Sequence, residues 1–177
     1  RIVEIIQHGF KPDEIVEEWT IEFNPTTLTQ VDVEKRWINA WNPPRHFFEN
    51  LPPVHTIPPI IDKVITSITV DAETKEHFIN WLASIYQTRR KFPVGWIFSG
   101  TQGTGKGIMY EKVLMPTFGF DYVKPILTSN LTEQFNGYVV NSLFTVADEF
   151  RLDATKDVLA AIDRLKNLIT ESVISVR

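Results

Sequence analysis

Val94-Gly95-Trp96-Ile97-Phe98-Ser99 runs without a break into Gly100-Thr101-Gln102-Gly103-Thr104-Gly105-Lys106-Gly107. The first six residues form an apolar run of strand length, and the next eight satisfy G-x-x-x-x-G-K up to its last position. Each residue type has its own reason to be there. Glycines let the backbone curl until successive N–H groups point inward at phosphate oxygens. A helix, predicted from Ile108 to Met115 and ended by Pro116, would add the positive end of its dipole. Lys106 supplies a mobile ammonium able to reach the β- and γ-phosphates of a nucleotide. The plain alternative is a glycine-rich turn that happens to hold a lysine; a strand on one side and a helix on the other weigh against it. Gly107 departs from the pattern, because Ser or Thr there would place a hydroxyl on magnesium. Water or another side chain must then take that place. Gly100, Thr101, Gln102, Gly103, Thr104, Gly105, Lys106 and Gly107 are thus the expected nucleotide-binding set, with ATP and Mg2+ as ligands.

A second element lies downstream in Leu143-Phe144-Thr145-Val146-Ala147-Asp148-Glu149, an apolar run closed by paired acids. Beside a phosphate loop, Asp148 would hold magnesium and Glu149 would polarise the attacking water. Strands often end in acids, so the pair alone says little. Its position 42 residues after Lys106 gives it weight: that gap fits a helix, a strand and another short helix, letting the two strands lie side by side. Tyr122 to Ile126 reads as the intervening strand, and Asn130 with Glu133 imitates a capping box for a helix near 131–136. Asp153 is placed to cap a further helix whose Val158, Ala161, Ile162, Leu165, Leu168 and Ile169 share one face. Val173 to Val176 resumes a strand pattern. Strands alternating with helices predict an α/β core with a largely parallel sheet.

Upstream the signals are weaker. A short helical pattern runs from Asp13 to Trp19, Trp19 to Phe23 alternates as a half-buried strand does, and Arg36 to Asn42 offers a second strand-like run. Pro52, Pro53, Pro58 and Pro59 mark an extended connector. Asp71 is placed to cap a helix in which Phe78, Trp81, Leu82 and Ile85 recur at helical spacing, ending near Gln87. Arg89-Arg90-Lys91 follows, read as a solvated charge run or as a phosphate-contacting patch. The chain thus divides into a mixed segment at 1–59, a helical segment at 60–92 and a phosphate-loop core at 93–177. It begins at Arg1 and stops at Arg177 inside what reads as a strand, which reads as a piece of a longer protein with an incomplete core.

Composition sets the outer bounds. The 177 residues include 43% hydrophobic and 23% charged side chains, a globular balance. There is no cysteine, so disulfides, zinc–thiolate centres and cysteine nucleophiles are excluded. His8, His46, His55 and His77 lack close metal-ligand spacing and read as surface or packing residues. No run approaches the ~20 apolar residues of a membrane span, and no signal-peptide pattern opens the chain. Net charge is −4, unevenly held: residues 1–88 carry 7 Lys+Arg against 13 Asp+Glu, and residues 89–177 carry 11 against 9. A freestanding nucleic-acid binder is usually more basic, but a local patch in an oligomer is compatible with this balance.

Gly100 to Gly107, Phe135-Asn136, Ala147-Asp148-Glu149 and Leu165-Lys166-Asn167-Leu168-Ile169-Thr170-Glu171 together resemble the helicase part of phage and plasmid primase-helicases, superfamily 3 ATPases related to the poxvirus primase-helicase and, more distantly, to parvovirus replication proteins. The resemblance covers roughly residues 70–177, and glycine after the loop lysine is similar to the phage branch. It implies an AAA+-like P-loop core that works as a ring, hexameric in the whole protein, with ATP between subunits. It also implies coupling of hydrolysis to DNA unwinding in the host bacterial cytoplasm, and a primase-polymerase domain upstream on the same chain. Lys106, Asp148 and Glu149 carry over, Lys106 and Glu149 as catalytic groups and Asp148 toward the metal. Ile174 to Arg177 resembles the start of the hairpin that such helicases aim at single-stranded DNA, making Arg177 a DNA-contact candidate. The family's polar sensor and arginine finger have no counterpart before Arg177. Two rival readings stay open. One is a small P-loop kinase, which would continue with Thr where Ile108 stands and needs an arginine-lined lid. The other is an assembly or DNA-tethering module whose nucleotide site does not turn over.

Overall fold

The structure is a computed structural model that describes residues 18–49, 51–52, 54–101, 103–126, 139–147 and 156–171. It divides into two compact units, Arg1–Pro43 and Pro44–Arg177.

In the first unit, three short strands, β1 (Thr20–Glu22), β2 (Val31–Asp32) and β3 (Trp37–Asn39), form one sheet in the order β1-β3-β2. β1 runs parallel to β3, with Ile21 opposite Ile38, and β2 runs antiparallel to it. The strand expectations at Trp19–Phe23 and Arg36–Asn42 hold in shortened form, but the half-buried alternation does not: Thr20, Ile21 and Glu22 are all exposed, Ile21 by 46%. Polar bonding rather than an apolar face organises this sheet. Asn39, only 6% exposed, accepts at Oδ1 from the Asn24 and Trp41 amides, both at 3.0 Å, and donates from Nδ2 to the Asn24 carbonyl at 2.8 Å. One side chain so bonded satisfies backbone groups just beyond strands too short to pair them. The expected helix from Asp13 lies largely outside the described residues.

The second unit holds α1 (Pro59–Ile68), α2 (Ala72–Thr88), α3 (Lys106–Ile108), a π-helical segment (Met109–Leu114), α4 (Met115–Phe118), β4 (Val123–Ile126), β5 (Phe144–Ala147) and α5 (Lys156–Thr170). The proline-rich connector ends by starting a helix: Pro59 occupies the first turn of α1, where its missing N–H costs nothing. Asp71 caps α2 as expected, its carboxylate accepting from the Thr74 amide at 2.7 Å. α2 runs one residue past Gln87 and closes on Arg89 in the left-handed region, φ 50°. Phe78 and Ile85 are buried, and Trp81 and Leu82 pack beside them, which is the face the spacing predicts.

Two expectations need correction. Val94–Ser99 carries no strand ladder, and the sheet among the described residues of this unit has two strands, β4 and β5, parallel, with Val123 opposite Phe144 and Ile126 opposite Ala147. The run keeps a strand's alternation, with Trp96 and Phe98 packed on the core and Ile97 89% exposed. A ladder needs a neighbour offering free N–H and C=O groups, and no described strand lies alongside. Nor does Pro116 end the helix after the loop, which continues to Phe118. Proline removes an N–H and crowds the carbonyl four residues back; the wider π turn immediately ahead of it relieves both. Gly119, φ 103°, is the terminator: its amide bonds the Met115 carbonyl, and a Cβ there would stand 2.8 Å from the Tyr122 ring.

The core of this unit is aromatic. Phe78 of α2 meets Trp96 and Phe98 edge-on, with centroids at 5.0 and 5.4 Å. Phe144 of β5 packs on Phe118 at 4.5 Å and edge-on to Trp81 at 5.7 Å. α2 therefore ties the run entering the loop to β5. On the sheet's other side, Leu165 and Leu168 of α5 pack on buried Ile126, as their shared face predicts. Among the described residues, no helix is long and apolar enough to cross a membrane.

Candidate functional site

The glycine-rich loop lies between Phe98, held by the aromatic core, and Met109, 2% exposed in the helix that follows. Gly103 and Gly105 take φ of 87° and 94°, conformations open to glycine and strained for other residues. Gly105 is the position just before α3, so the loop reverses there and enters the helix in one step. The Lys106 ammonium curls back into the loop. It donates to the Gly100 carbonyl at 3.0 Å, the Thr101 carbonyl at 2.9 Å and Thr104 Oγ1 at 3.0 Å. Thr104 Oγ1 in turn donates to the Thr101 carbonyl at 3.0 Å. Backbone and lysine thus converge on one small region, and all three lysine bonds are to groups that a phosphate oxygen could replace.

α1 braces this loop from outside. Ser67 Oγ stands 2.7 Å from the Val64 carbonyl and 3.0 Å from the Thr104 carbonyl, with Gly105 close enough that a Cβ would sit 3.4 Å from the same hydroxyl. A cleft of about 130 Å³ opens off Lys106 between the end of α1 and the loop entry, bounded by Ser67, Ile68, Thr69, Val70, Phe98 and Ser99. None of the α1 residues carries a motif. Their distance along the chain, more than 30 residues upstream of Lys106, leaves no local signal by which they could be found.

Gly107 is exposed, and a Cβ built there meets nothing within 4 Å. Packing therefore does not exclude the hydroxyl that the usual pattern places at this position. The residues present fit a polyphosphate through the loop and Lys106. Among the described residues, no group of three His, Asp or Glu could hold a metal. The magnesium expectation rests on Asp148, which with Gln102, Phe135, Asn136, Glu149 and Arg177 lies outside the described residues. Asp148 follows directly on Ala147, the last residue of β5.

The Arg89-Arg90-Lys91 run is not a uniform phosphate patch. The Arg89 guanidinium lies over the Phe47 ring, 5.6 Å from its centroid, and the Lys91 ammonium donates to the Glu171 carbonyl just past α5. These are packing and helix-capping roles. His46 bonds the Thr117 carbonyl at 2.8 Å and stacks near Tyr86, while His77 packs on Trp96. Both fit the packing role read from their spacing.

A family of unknown function, DUF5906, matches residues 98–177, a stretch that opens at the loop entry and takes in the glycine-rich loop and the Asp148-Glu149 pair. The chain is 34% identical over 140 residues to a DNA primase-polymerase of Nitratiruptor phage NrS-1, a match covering 78% of this chain and 19% of that protein. It is also similar to solved apo structures of the NrS-1 C-terminal region. One, at 31% identity and a TM-score of 0.77, covers 90% of this chain and 38% of that one. Another, at 27% identity and 0.74, covers 94% and 39%. The chain therefore spans about a fifth of the curated relative and under two-fifths of these structures. The similarity supports the phage-replication relationship that the motifs suggested.

Proposed function

We propose that this chain is the nucleotide-binding part of a phage replication motor, an ATPase of the superfamily 3 helicase type with a P-loop core. The carrying observation is the Lys106 ammonium gathered at 2.9–3.0 Å onto Gly100, Thr101 and Thr104, in a loop whose Gly103 and Gly105 take positive φ. Similarity to the NrS-1 primase-polymerase and its C-terminal region supports the replication setting. In this reading the loop amides and Lys106 bind the β- and γ-phosphates of ATP. Asp148, following β5, would hold Mg2+, and Glu149 would accept a proton from the attacking water. The metal would supply charge neutralisation on the phosphates; this chain's own loop would supply their position. In the whole protein such sites would lie between subunits of a ring around single-stranded DNA, beside a primase-polymerase domain.

Lys106→Ala tests the site. Calorimetry should show ATP affinity falling by the ~1.5–3 kcal/mol of a charge-assisted contact. Equal affinity in mutant and parent would remove this loop from the site. An assembly module without turnover is favoured by one observation, the open glycine at 107 where a hydroxyl would fit. Phosphate release by the whole protein decides against that reading, and release without an added acceptor decides against a kinase.

A further inference from the structure

The helical stretch from Lys106 to Phe118, at about 1.5 Å per residue, carries the chain roughly 18 Å away from the loop lysine. At that far end three segments of the second unit are knotted together. Pro44 comes up against Gly119, where a Cβ would stand 3.4 Å from the proline ring. His46 bonds the Thr117 carbonyl at 2.8 Å. Phe47 stacks on Tyr86 with centroids 4.6 Å apart, and the Arg89 guanidinium lies over the same Phe47 ring.

Each segment leaves the knot with an exposed ring. Phe48 follows Phe47, Phe120 follows Gly119, and Phe92 stands three residues past Arg89; they are exposed by 53%, 65% and 39%. These are the exposed phenylalanines among the described residues, where no Trp or Tyr is exposed. None of the three stacks on another ring among those residues. Large rings are usually covered, so three gathered at one place mark a contact surface.

Charge decides what the surface contacts. Arg45 and Arg90 are exposed, and neither guanidinium has an ion pair or hydrogen bond among the described residues. With Arg89 and Lys91 they make four cations in these segments against two acids, Glu49 and Asp121, in a chain whose net charge is −4. An apolar protein face would leave the arginines unused, and an acidic one would leave the rings unused. Single-stranded nucleic acid uses both: its bases stack on aromatic faces while its phosphates take arginine. In a duplex the base faces are already stacked on one another.

We infer that Phe48, Phe92 and Phe120, with Arg45 and Arg90, form a stacking platform for single-stranded nucleic acid at the end of this unit remote from the phosphate loop. It is a contact made by one copy, separate from any channel that a ring encloses, and it does not rest on the phosphate-loop reading. Two free cations make it a weak, salt-dependent site by itself.

Fluorescence anisotropy of the full chain with a labelled thymidine oligonucleotide of about twelve residues, at about 50 mM salt, tests it. Binding should be weak and saturable. Phe48→Leu and Phe120→Leu keep apolar bulk but remove the ring, and each should weaken binding about fivefold or more. Phe120→Tyr keeps the ring and should stay within twofold of the parent. Arg90→Ala should flatten the log–log salt slope by about 0.7. Parental affinity in both leucine variants, equal loss in Phe120→Tyr and Phe120→Leu, an unchanged slope in Arg90→Ala, or no binding by the parent would each overturn the platform. Leucine variants that bind the oligonucleotide normally but change the sedimentation of the chain would assign the patch to a protein contact instead. ATP calorimetry on the same variants reports on the phosphate loop separately, so either reading can fail without the other.

Discussion

At the scale of single residues, the loop was legible because its chemistry is local. Gly103, Gly105 and Lys106 act through backbone conformation and one side chain within eight positions, and the structure bends the chain where the glycines stand. Ser67 and Val70 were not legible, because they reach the site by folding and no spacing rule links them to Lys106. Asn39 was missed for a related reason: its bonds to Asn24 and Trp41 make it a backbone substitute, a role invisible in a polar residue within a strand-like run. The paired acids give a prediction that separates binding from chemistry. In the whole protein, Glu149→Gln should keep nucleotide affinity but lose about 10²–10⁴ in hydrolysis rate, the usual loss for a general base. Asp148→Ala should instead weaken magnesium-dependent binding. Phosphate-release and nucleotide-binding assays run in parallel check both, and parental turnover in Glu149→Gln would show that another group takes the proton.

At the scale of elements, helix beginnings were easier to read than helix ends. Asp71 announces α2 by its chemistry, whereas Pro59, read as part of an extended connector, starts α1 because its fixed φ suits a first turn. Pro116 misled, since a proline was read as a stop where the π turn absorbs it and Gly119 does the stopping. The run Val94–Ser99 has a strand's alternation without a strand's ladder, because pairing depends on a neighbour that pattern alone does not supply. Two outcomes follow. Gly119→Ala forces a Cβ against Tyr122 in a conformation that costs non-glycine residues about 1–3 kcal/mol, and urea denaturation should register a loss of that order. The second concerns pH. The Thr74 amide bond holds the Asp71 carboxyl below its ordinary value of 3.8. Its stabilising contribution is therefore complete above that value and fades as pH falls through the lowered one. Asp71→Ala should lower the melting temperature at neutral pH, and the difference from parent should shrink below about pH 3.8.

For the whole molecule, charge is the deciding quantity. The chain carries −4 overall, with its excess of acids in residues 1–88, so a single copy offers DNA little attraction. A ring would gather the basic residues of several copies around one channel, and attraction would rise with assembly. Single-stranded DNA should therefore bind the separate chain weakly, with affinity falling steeply as salt is raised from 50 to 200 mM, the log–log slope being about −0.7 per phosphate neutralised. Fluorescence anisotropy across that range checks this. Tight, salt-insensitive binding by the separate chain would instead indicate stacking or base contacts within one copy. A mixed α/β composition was legible from alternating patterns, whereas the division after Pro43 was not, because the proline-rich stretch that invites a boundary at 52–59 is spent on entering α1.

If the loop holds a polyphosphate as proposed, the internal pairing of Lys106 would make it a discriminating receptor. An ammonium already satisfied by two carbonyls and a hydroxyl gains little from a monovalent anion such as chloride or acetate, which must displace those partners with one diffuse charge. A polyphosphate brings several oxygens and several charges at once, so it can replace the whole set in a single exchange. The loop would then stay free of the commonest small anions around it while remaining responsive to scarcer nucleotides, a selectivity that arises from how the lysine rests rather than from how it binds.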